Sequence, residues 1–179
     1  MALMAFVGTG TASATTLTIN GVAQNKSVSI TAVLSGKTVF KDEFGTTTDV
    51  CEASELKMST EGTFTAATVG GKVGTQTYTK CSHATTVDAN GSLSFAWTSG
   101  LNGEVKSAGT EVTYFSTFFG VTALCKTGAG TKLGTLTGNG SGGHATLDMS
   151  AVIGCGILGN ATWTGTYTVT SPVGLGVAS

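Results

Sequence analysis

The chain is poor in charge and lacks arginine altogether, because all nine basic side chains among its 179 residues are lysines. Charged residues make up 11% of the sequence and the formal net charge is −1, whereas typical soluble domains contain about 25% charged residues. Proteins that bind nucleic acids carry a basic patch, usually with arginines that hold phosphate or guanine. The lysines here are scattered from Lys26 to Lys132. The sequence therefore predicts no nucleic-acid partner.

Long apolar runs and helix-forming composition are also missing. No stretch approaches the roughly 18 apolar residues that a transmembrane helix needs. Threonine and glycine, which are poor helix formers, contribute 34 and 27 residues and argue against a helical bundle. With 40% hydrophobic residues and a mean hydropathy of +0.26, the chain is far from the composition of disordered proteins. A folded β-rich domain is the class that remains.

Strand patterns recur along the chain. Residues 162–170 place five threonines on one face and two aromatic residues and a valine on the other, as a half-buried strand does. Pairs typical of tight turns separate such runs, at Asn20-Gly21, Gly70-Gly71, Asn90-Gly91, Asn102-Gly103, Asn139-Gly140 and Gly142-Gly143. We predict an all-β fold, an antiparallel sandwich or barrel of about 9–12 short strands.

One short helix is predicted within this pattern. Asp49 and Glu52 have the spacing of a capping box, in which two side chains bond to the backbone at the start of a helix. A helix-compatible stretch follows them. The predicted helix covers residues near 50–58.

The cysteines indicate disulfides. Four of them, without a C-x-x-C pair, fit a disulfide framework in an oxidising compartment better than a zinc ribbon; they are Cys51, Cys81, Cys125 and Cys155. The first and third are each followed by another cysteine 30 positions later. Three connectivities are open, and the spacing favours Cys51–Cys81 with Cys125–Cys155.

A weak internal repeat supports this pairing. A Phe-Gly pair precedes the first cysteine of each half and a Trp-Thr pair follows the second, at Phe44, Phe119, Trp97 and Trp163. The spacing to the tryptophan differs between the halves, and the residues between the motifs match poorly. We predict one β-rich domain over 15–179, with two structurally similar halves at about 38–100 and 113–170.

The N-terminus has features of a secretory signal. A short apolar run over 2–7 is followed by Ala12-Ser13-Ala14, which has the small-residue pattern of a cleavage site. A basic region is missing before the run. Our interpretation is that residues 1–14 are the remnant of a signal peptide and that the protein is secreted or displayed at the cell surface; a plain apolar terminal strand is the alternative.

Three segments resemble a known group of proteins. They are the stretch 44–51 around the first cysteine, the stretch 118–128 around the third, and the stretch 151–169, which contains the fourth cysteine and Trp163-Thr164-Gly165-Thr166-Tyr167. Together they resemble Thr- and Gly-rich, four-cysteine secreted proteins of actinobacterial type, a group with no established activity. The resemblance implies export and a β-rich fold, and it implies no chemistry.

Catalytic motifs are not found. The two histidines, His83 and His144, accompany no G-x-S-x-G elbow, and paired cysteines leave no thiol nucleophile. Six of the ten acidic residues lie between Asp42 and Glu61, but their spacing matches no calcium loop. The sequence predicts a protein that is not an enzyme, with no cofactor and no metal.

Two function classes remain. Low charge and a single proline leave strand edges poorly protected, which favours a structural protein that assembles with its own copies, through residues 15–20 or the C-terminal strand. The alternative is a secreted module that binds a small apolar ligand, a glycan or a surface. Its candidate binding aromatics are Trp97, Trp163 and Tyr167.

Overall fold

The computed structural model describes residues 14–61, 67–83, 89–116 and 121–179. These ranges form β-strands and one turn of 3-10 helix, Gly156–Leu158. The strands are β1 (Thr16–Ile19), β2 (Val22–Ala23), β3 (Ser29–Leu34), β4 (Thr38–Lys41), β5 (Thr47–Thr60), β6 (Val69–Cys81), β7 (Ala89–Ser99), β8 (Asn102–Ser107), β9 (Glu111–Ser116), β10 (Val121–Lys126), β11 (Lys132–Thr137), β12 (Thr146–Gly154), β13 (Asn160–Ser171) and β14 (Leu175–Ala178). The predicted all-β class is confirmed.

Most strands close into an antiparallel barrel with eight wall positions. Three positions are each filled by two strands in succession. Strands β3 and β4 share the position between β13 and β5, β8 and β9 share the position next to β7, and β10 and β11 share the position next to β12. Between these lie β5, β6, β7, β12 and β13 in single strands.

The barrel interior is the hydrophobic core. In β12, for example, buried and exposed residues alternate along the strand, so every second side chain points inward. An eight-stranded barrel is just wide enough for inward side chains to fill it. The largest fully buried barrel side chains are Tyr167, Phe40, Phe95, Ile30, Leu133, Leu136 and Leu147.

A second, three-stranded sheet closes one end of the barrel, which we call the capped end. Its order is β14-β1-β2, with the first and last described strands side by side. Leu17, Leu175 and Val177 from this sheet are fully buried. The Val177 N–H donates to the carbonyl of Leu101, in the β7–β8 turn, over 3.0 Å. The sheet is therefore joined to the barrel by both apolar contact and backbone hydrogen bonds.

Both disulfides lie at the opposite end, which we call the disulfide end. Cys51 pairs with Cys81 across β5 and β6, and Cys125 on β10 bonds to Cys155 just after β12. The favoured connectivity is confirmed. The two bridges occupy equivalent places in the two halves of the chain. Counted from β3/β4, the first bridge joins the second wall position, β5, to the third, β6. Counted from β8/β9, the second bridge joins the second wall position, β10/β11, to the third, β12. The duplication itself stays a prediction.

The predicted helix near 50–58 is wrong, because these residues belong to β5. This strand pairs with β3 and β4 on one side and with β6 on the other. Asp49 does not cap a helix; its carboxylate accepts hydrogen bonds at the strand end. Asp49 and Cys51 are buried, and the next buried residue is Ser54, so the inward phase shifts by one residue. Because of that shift, the sequence of β5 shows no continuous period-two alternation of buried and exposed residues.

The predicted turns divide into two groups. Asn20-Gly21 makes the β1–β2 turn with positive φ at both residues, 52° and 75°, as a type I′ turn requires. The pairs starting at residues 70, 90 and 102 lie inside strands instead. At Gly91 the reason is close approach, since a Cβ there would lie 2.6 Å from the Gly109 carbonyl oxygen. The proposed signal remnant at 1–14 lies outside the described residues, apart from Ala14.

Candidate functional site

Two of the three candidate binding aromatics lie inside the barrel. Tyr167 is fully buried and Trp163 is 6% exposed. With Tyr78 they form a line of edge-to-face rings whose centroids are 6.5 Å apart at each step. Trp97 is half-buried near the capped end, and its indole N–H donates to the carbonyl of Gly100 over 3.0 Å.

The polar atoms of these rings are satisfied within the barrel. The Gln76 amide donates to the hydroxyls of Tyr78 and Tyr167, over 2.6 and 3.2 Å. Tyr167 donates to Ser54, and the Trp163 N–H donates to the Thr38 hydroxyl over 2.9 Å. Burial raises the pKa of both tyrosines, and Tyr167 adds to the rise in the pKa of Tyr78. Burial therefore favours the neutral form of both phenols, while the hydrogen bonds that Tyr167 makes partly offset the rise in its own pKa.

The free space inside the barrel is small. A cavity of about 20 Å³ lies among Gln76, Trp163, Met149 and other core side chains. Such a volume holds about one water molecule, so the described part of the interior has no room for a ligand at this cavity. Here Trp163 and Tyr167 pack as core residues.

A larger groove runs over the outer wall. It measures about 430 Å³ and is lined by small residues, among them Ser92, Ser94 and Gly70, with the carboxylate of Glu61 at its rim. A Cβ built on Gly70 would lie 3.3 Å from Glu61 Oε2, so this carboxylate reaches over the glycine. Glu61 is the single carboxylate among the described lining residues. The groove can accept and donate hydrogen bonds, and its described part lacks a pair of acids for acid–base chemistry.

The histidines lie at opposite ends of the barrel. His144, at the capped end, hydrogen-bonds the Val169 carbonyl through Nδ1 over 2.8 Å. His83, at the disulfide end, follows Ser82, whose hydroxyl donates to Asp49 Oδ1 over 2.7 Å. The Ser82 oxygen lies 3.3 Å from His83 Nδ1, but its proton is directed to Asp49. The three side chains therefore do not have the arrangement of a catalytic triad, in which the imidazole accepts the hydroxyl proton.

The outward threonines of β13 hold neighbouring strands together. Thr166 donates to Asp148 on β12 over 2.8 Å, and Thr168 shares a 2.6 Å hydrogen bond with Ser35 next to β3. Thr170 donates to a β3 carbonyl. Part of the threonine excess therefore serves the barrel wall itself.

The disulfide end exposes large apolar side chains. Phe44 in the β4–β5 turn is 85% exposed, Ile157 in the 3-10 turn is 100% exposed, and Leu124 on β10 is 46% exposed. The two turns are neighbours, because the Glu43 carboxylate lies against Gly159: a Cβ there would be 2.6 Å from Glu43 Oε2.

These turns are ordered by local hydrogen bonds. The backbone N–H groups of Phe44 and Thr46 both donate to Asp42 Oδ1, over 3.0 and 2.8 Å. The Cys155 N–H donates to the Gly159 carbonyl over 2.8 Å. The backbone of both turns is thus held by hydrogen bonds, and it directs Phe44 and Ile157 to solvent.

Sequence reasoning missed this apolar end. Phe44 entered the sequence analysis as part of a repeat and of a segment of resemblance, and Ile157 belongs to an apolar run that is typical of a core strand. The sequence feature that could have indicated exposed turns here is glycine. Gly45 follows Phe44 directly, and Gly156 and Gly159 lie on either side of Ile157, each with positive φ.

Comparison with known proteins gives no assignment. No protein-family model, curated protein or solved structure matches the chain. The described residues contain no helix with the length and hydropathy for a bilayer crossing.

Proposed function

We propose that the protein is an extracellular, non-catalytic module that binds an apolar surface through its disulfide end. The supporting observation is the exposure of Phe44, Ile157 and Leu124 at one end of a covalently bridged barrel. Covering a large apolar side chain contributes about 1.5–3 kcal/mol. Two disulfides fit an oxidising, extracellular setting.

The geometry favours the binding module over assembly through the barrel wall. Each wall position pairs on both sides along much of its length, and a closed barrel has no free edge where its strands pair. The 15–20 segment, which sequence reasoning offered for pairing with another copy, lies largely in β1, between β14 and β2.

The test is retention on phenyl-substituted agarose beads at low salt. The double variant Phe44→Ser with Ile157→Ser is expected to lower the fraction bound by roughly tenfold or more, because it removes two exposed apolar groups. Val22→Ser is the matched control, since Val22 is 64% exposed at the capped end. Equal losses in both proteins, or no loss in the double variant, would contradict the proposal.

Self-assembly is the second candidate, and the β9–β10 hairpin favours it. Its two strands pair with each other at six positions. The described pairs to the barrel are two with β7 and one with β12, so the described residues of the hairpin pair mainly with each other. A hairpin with few pairs to its own barrel can add to a sheet of another copy.

Sedimentation velocity and electron microscopy of the full chain test this second candidate. Ordered filaments that persist in the Phe44→Ser, Ile157→Ser variant would support strand-edge assembly. Loss of the filaments in that variant would place the contact at the apolar end. A monomer at every concentration would overturn the assembly hypothesis and leave the bead experiment unaffected.

A further inference from the structure

The Cys51–Cys81 disulfide lies beside a buried carboxylate. The side chain of Asp49 is 0% exposed, and one of its carboxylate oxygens and the two sulfur atoms all lie within 4.8 Å of one another. Among the described residues, this is the one group of three potential metal ligands at such distances. The second disulfide, Cys125–Cys155, belongs to no such group within the described chain.

The two oxygens of Asp49 have different surroundings. Oδ1 accepts hydrogen bonds from the Val50 N–H, the Ser82 hydroxyl and the His83 N–H, over 2.8, 2.7 and 3.1 Å. Oδ2 is buried and has no hydrogen-bond partner in the described structure. Buried polar atoms are nearly always satisfied, and an exception calls for a specific explanation such as an ion. Three fixed donors on Oδ1 leave Oδ2 as the oxygen that is open to a cation.

We propose that reduction of the Cys51–Cys81 disulfide creates a site for a zinc-class divalent cation, with Asp49, Cys51 and Cys81 as ligands. In the oxidised protein the two sulfurs are bonded to each other and are poor ligands. An external dithiol supplies two electrons and two protons: its thiols join as a disulfide, the Cys51–Cys81 bond breaks, and two thiols form. Cation binding then releases both thiol protons to solvent.

The charge balance selects the cation. Two thiolates and one carboxylate bring three negative charges to one partly shielded corner, which is unfavourable without a cation. Thiolate ligands favour borderline or soft ions such as Zn²⁺ over Ca²⁺ or Mg²⁺, which prefer all-oxygen sites.

An imidazole lies near this group, although its nitrogens are not among the ligand atoms that lie within 4.8 Å of one another. His83 Nδ1 lies 3.8 Å from Asp49 Oδ1, and the His83 side chain is 51% exposed. Rotation of the ring would bring a nitrogen toward the cation as a fourth ligand, the number typical of zinc sites. Cys81 is half-buried and Ser82 is exposed, so a reductant and a cation can reach the corner from solvent.

The test uses Co²⁺ as a spectroscopic substitute for Zn²⁺. The full chain is reduced with an immobilised phosphine, which is then removed, and Co²⁺ is titrated while thiolate-to-cobalt absorption is recorded. We expect one Co²⁺ per chain, displaced by Zn²⁺, and no such absorption in the oxidised protein. Asp49→Asn should weaken binding by about 10–100-fold.

Paired cysteine variants provide the matched comparison. Cys51→Ser with Cys81→Ser should abolish the absorption, whereas Cys125→Ser with Cys155→Ser should retain it after reduction. Absorption that persists in the first variant, or that is unchanged by Asp49→Asn, would overturn the proposal. Circular dichroism with and without Zn²⁺ follows folding: a reduced chain that neither binds Co²⁺ nor gains structure with Zn²⁺ also overturns it.

Discussion

At the residue scale, Thr38 shows how the barrel uses a hydroxyl where other proteins use charge. Its Oγ1 accepts the indole N–H of Trp163 over 2.9 Å and donates to the Thr164 carbonyl over 2.8 Å. Thr38 is fully buried and Trp163 nearly so. One hydroxyl therefore satisfies a buried donor and a backbone acceptor at once.

Replacing this hydroxyl by a methyl group leaves the Trp163 N–H buried and unpaired. We expect Thr38→Val to lower the free energy of unfolding by about 1–3 kcal/mol, the usual penalty for such a group. Urea unfolding measures the change. The control is Thr166→Val, whose hydrogen bond to Asp148 is solvent-exposed and whose loss should cost less than about 0.5 kcal/mol. Equal losses would contradict the role assigned to Thr38.

The two buried phenols predict sensitivity to alkali. The pKa of Tyr78 lies well above its ordinary value through burial and the neighbouring Tyr167, and burial also raises the pKa of Tyr167. A raised folded-state pKa means that the unfolded chain loses its phenolic protons first as pH rises. Stability from these groups is therefore complete below about pH 10 and declines above it, toward the folded-state pKa values.

Absorbance of tyrosinate tests this expectation. At about pH 11 the native protein should show less tyrosinate absorbance than the unfolded protein, because the buried phenols stay protonated. The Tyr78→Phe variant should reduce the decline in urea midpoint between about pH 9 and pH 11. A native spectrum equal to the unfolded one would show that the phenols are not shielded.

At the element scale, β5 shows which part of the fold the sequence could not predict. Threonine alternation in 162–170 identified β13, because its inward phase is constant from Trp163 through Tyr167 to Val169. In β5 the phase shifts between Cys51 and Ser54, and the local capping pattern at Asp49 then points to a helix. Pairing on both sides of β5 outweighs that local signal, and such pairing depends on residues far along the chain.

The close packing of β11 against β12 depends on a glycine. A Cβ added at Gly134 would lie 2.2 Å from the Asp148 carbonyl oxygen and 2.9 Å from the Met149 Cα. Gly134→Ala must separate the two strands, and we expect a loss of about 2–3 kcal/mol in urea unfolding. Gly128→Ala is the control, since its nearest contact would be an ordinary 3.6 Å from Thr131, and its effect should stay near zero. A tolerated Gly134→Ala would contradict the described strand spacing.

The two disulfides should differ in their local effect. Each links residues 30 positions apart, so on the chain-entropy model each contributes about 3–4 kcal/mol. Cys51–Cys81 joins strands that already pair at nine positions, whereas Cys125–Cys155 joins β10 to the end of β12, where the described pairing is one position.

Amide hydrogen exchange separates the global from the local effect. Cys125→Ala with Cys155→Ala should accelerate exchange in the described parts of the β9–β10 hairpin more than in the barrel. Cys51→Ala with Cys81→Ala should give no selective acceleration in β5 and β6. The same exchange pattern in both variants would contradict the hairpin's dependence on its bridge.

At the scale of the whole molecule, composition and spacing predicted the all-β class and the disulfide pairing. They could not predict barrel closure, because three wall positions are each divided between two strands separated by a turn or loop, such as β3 and β4. The apolar end was equally hidden: exposure of Ile157 depends on the turn that carries it, and local hydrophobicity gives the opposite expectation.

The first and last described strands pair in the three-stranded sheet at the capped end, which predicts tolerance to circular permutation. Thr16 on β1 pairs with Ala178 on β14, so a short Gly-Ser linker can join Ser179 to Ala14. New termini between Gly36 and Lys37 fall in an exposed turn. This permutant should unfold cooperatively with native circular dichroism. A permutant opened inside β12, between Ser150 and Ala151, is the control and should fail to fold.

Each bridge closes a covalent ring between cysteines 30 positions apart. These rings determine whether the fragments stay together when a protease cuts the chain. A single cut between Cys51 and Cys81, or between Cys125 and Cys155, leaves both fragments on one covalent framework. The cleaved chain would run as an intact band on a non-reducing gel and separate into two pieces only after reduction. Outside the cell, where proteases are common and reductants scarce, such a barrel can be nicked and still remain one molecule.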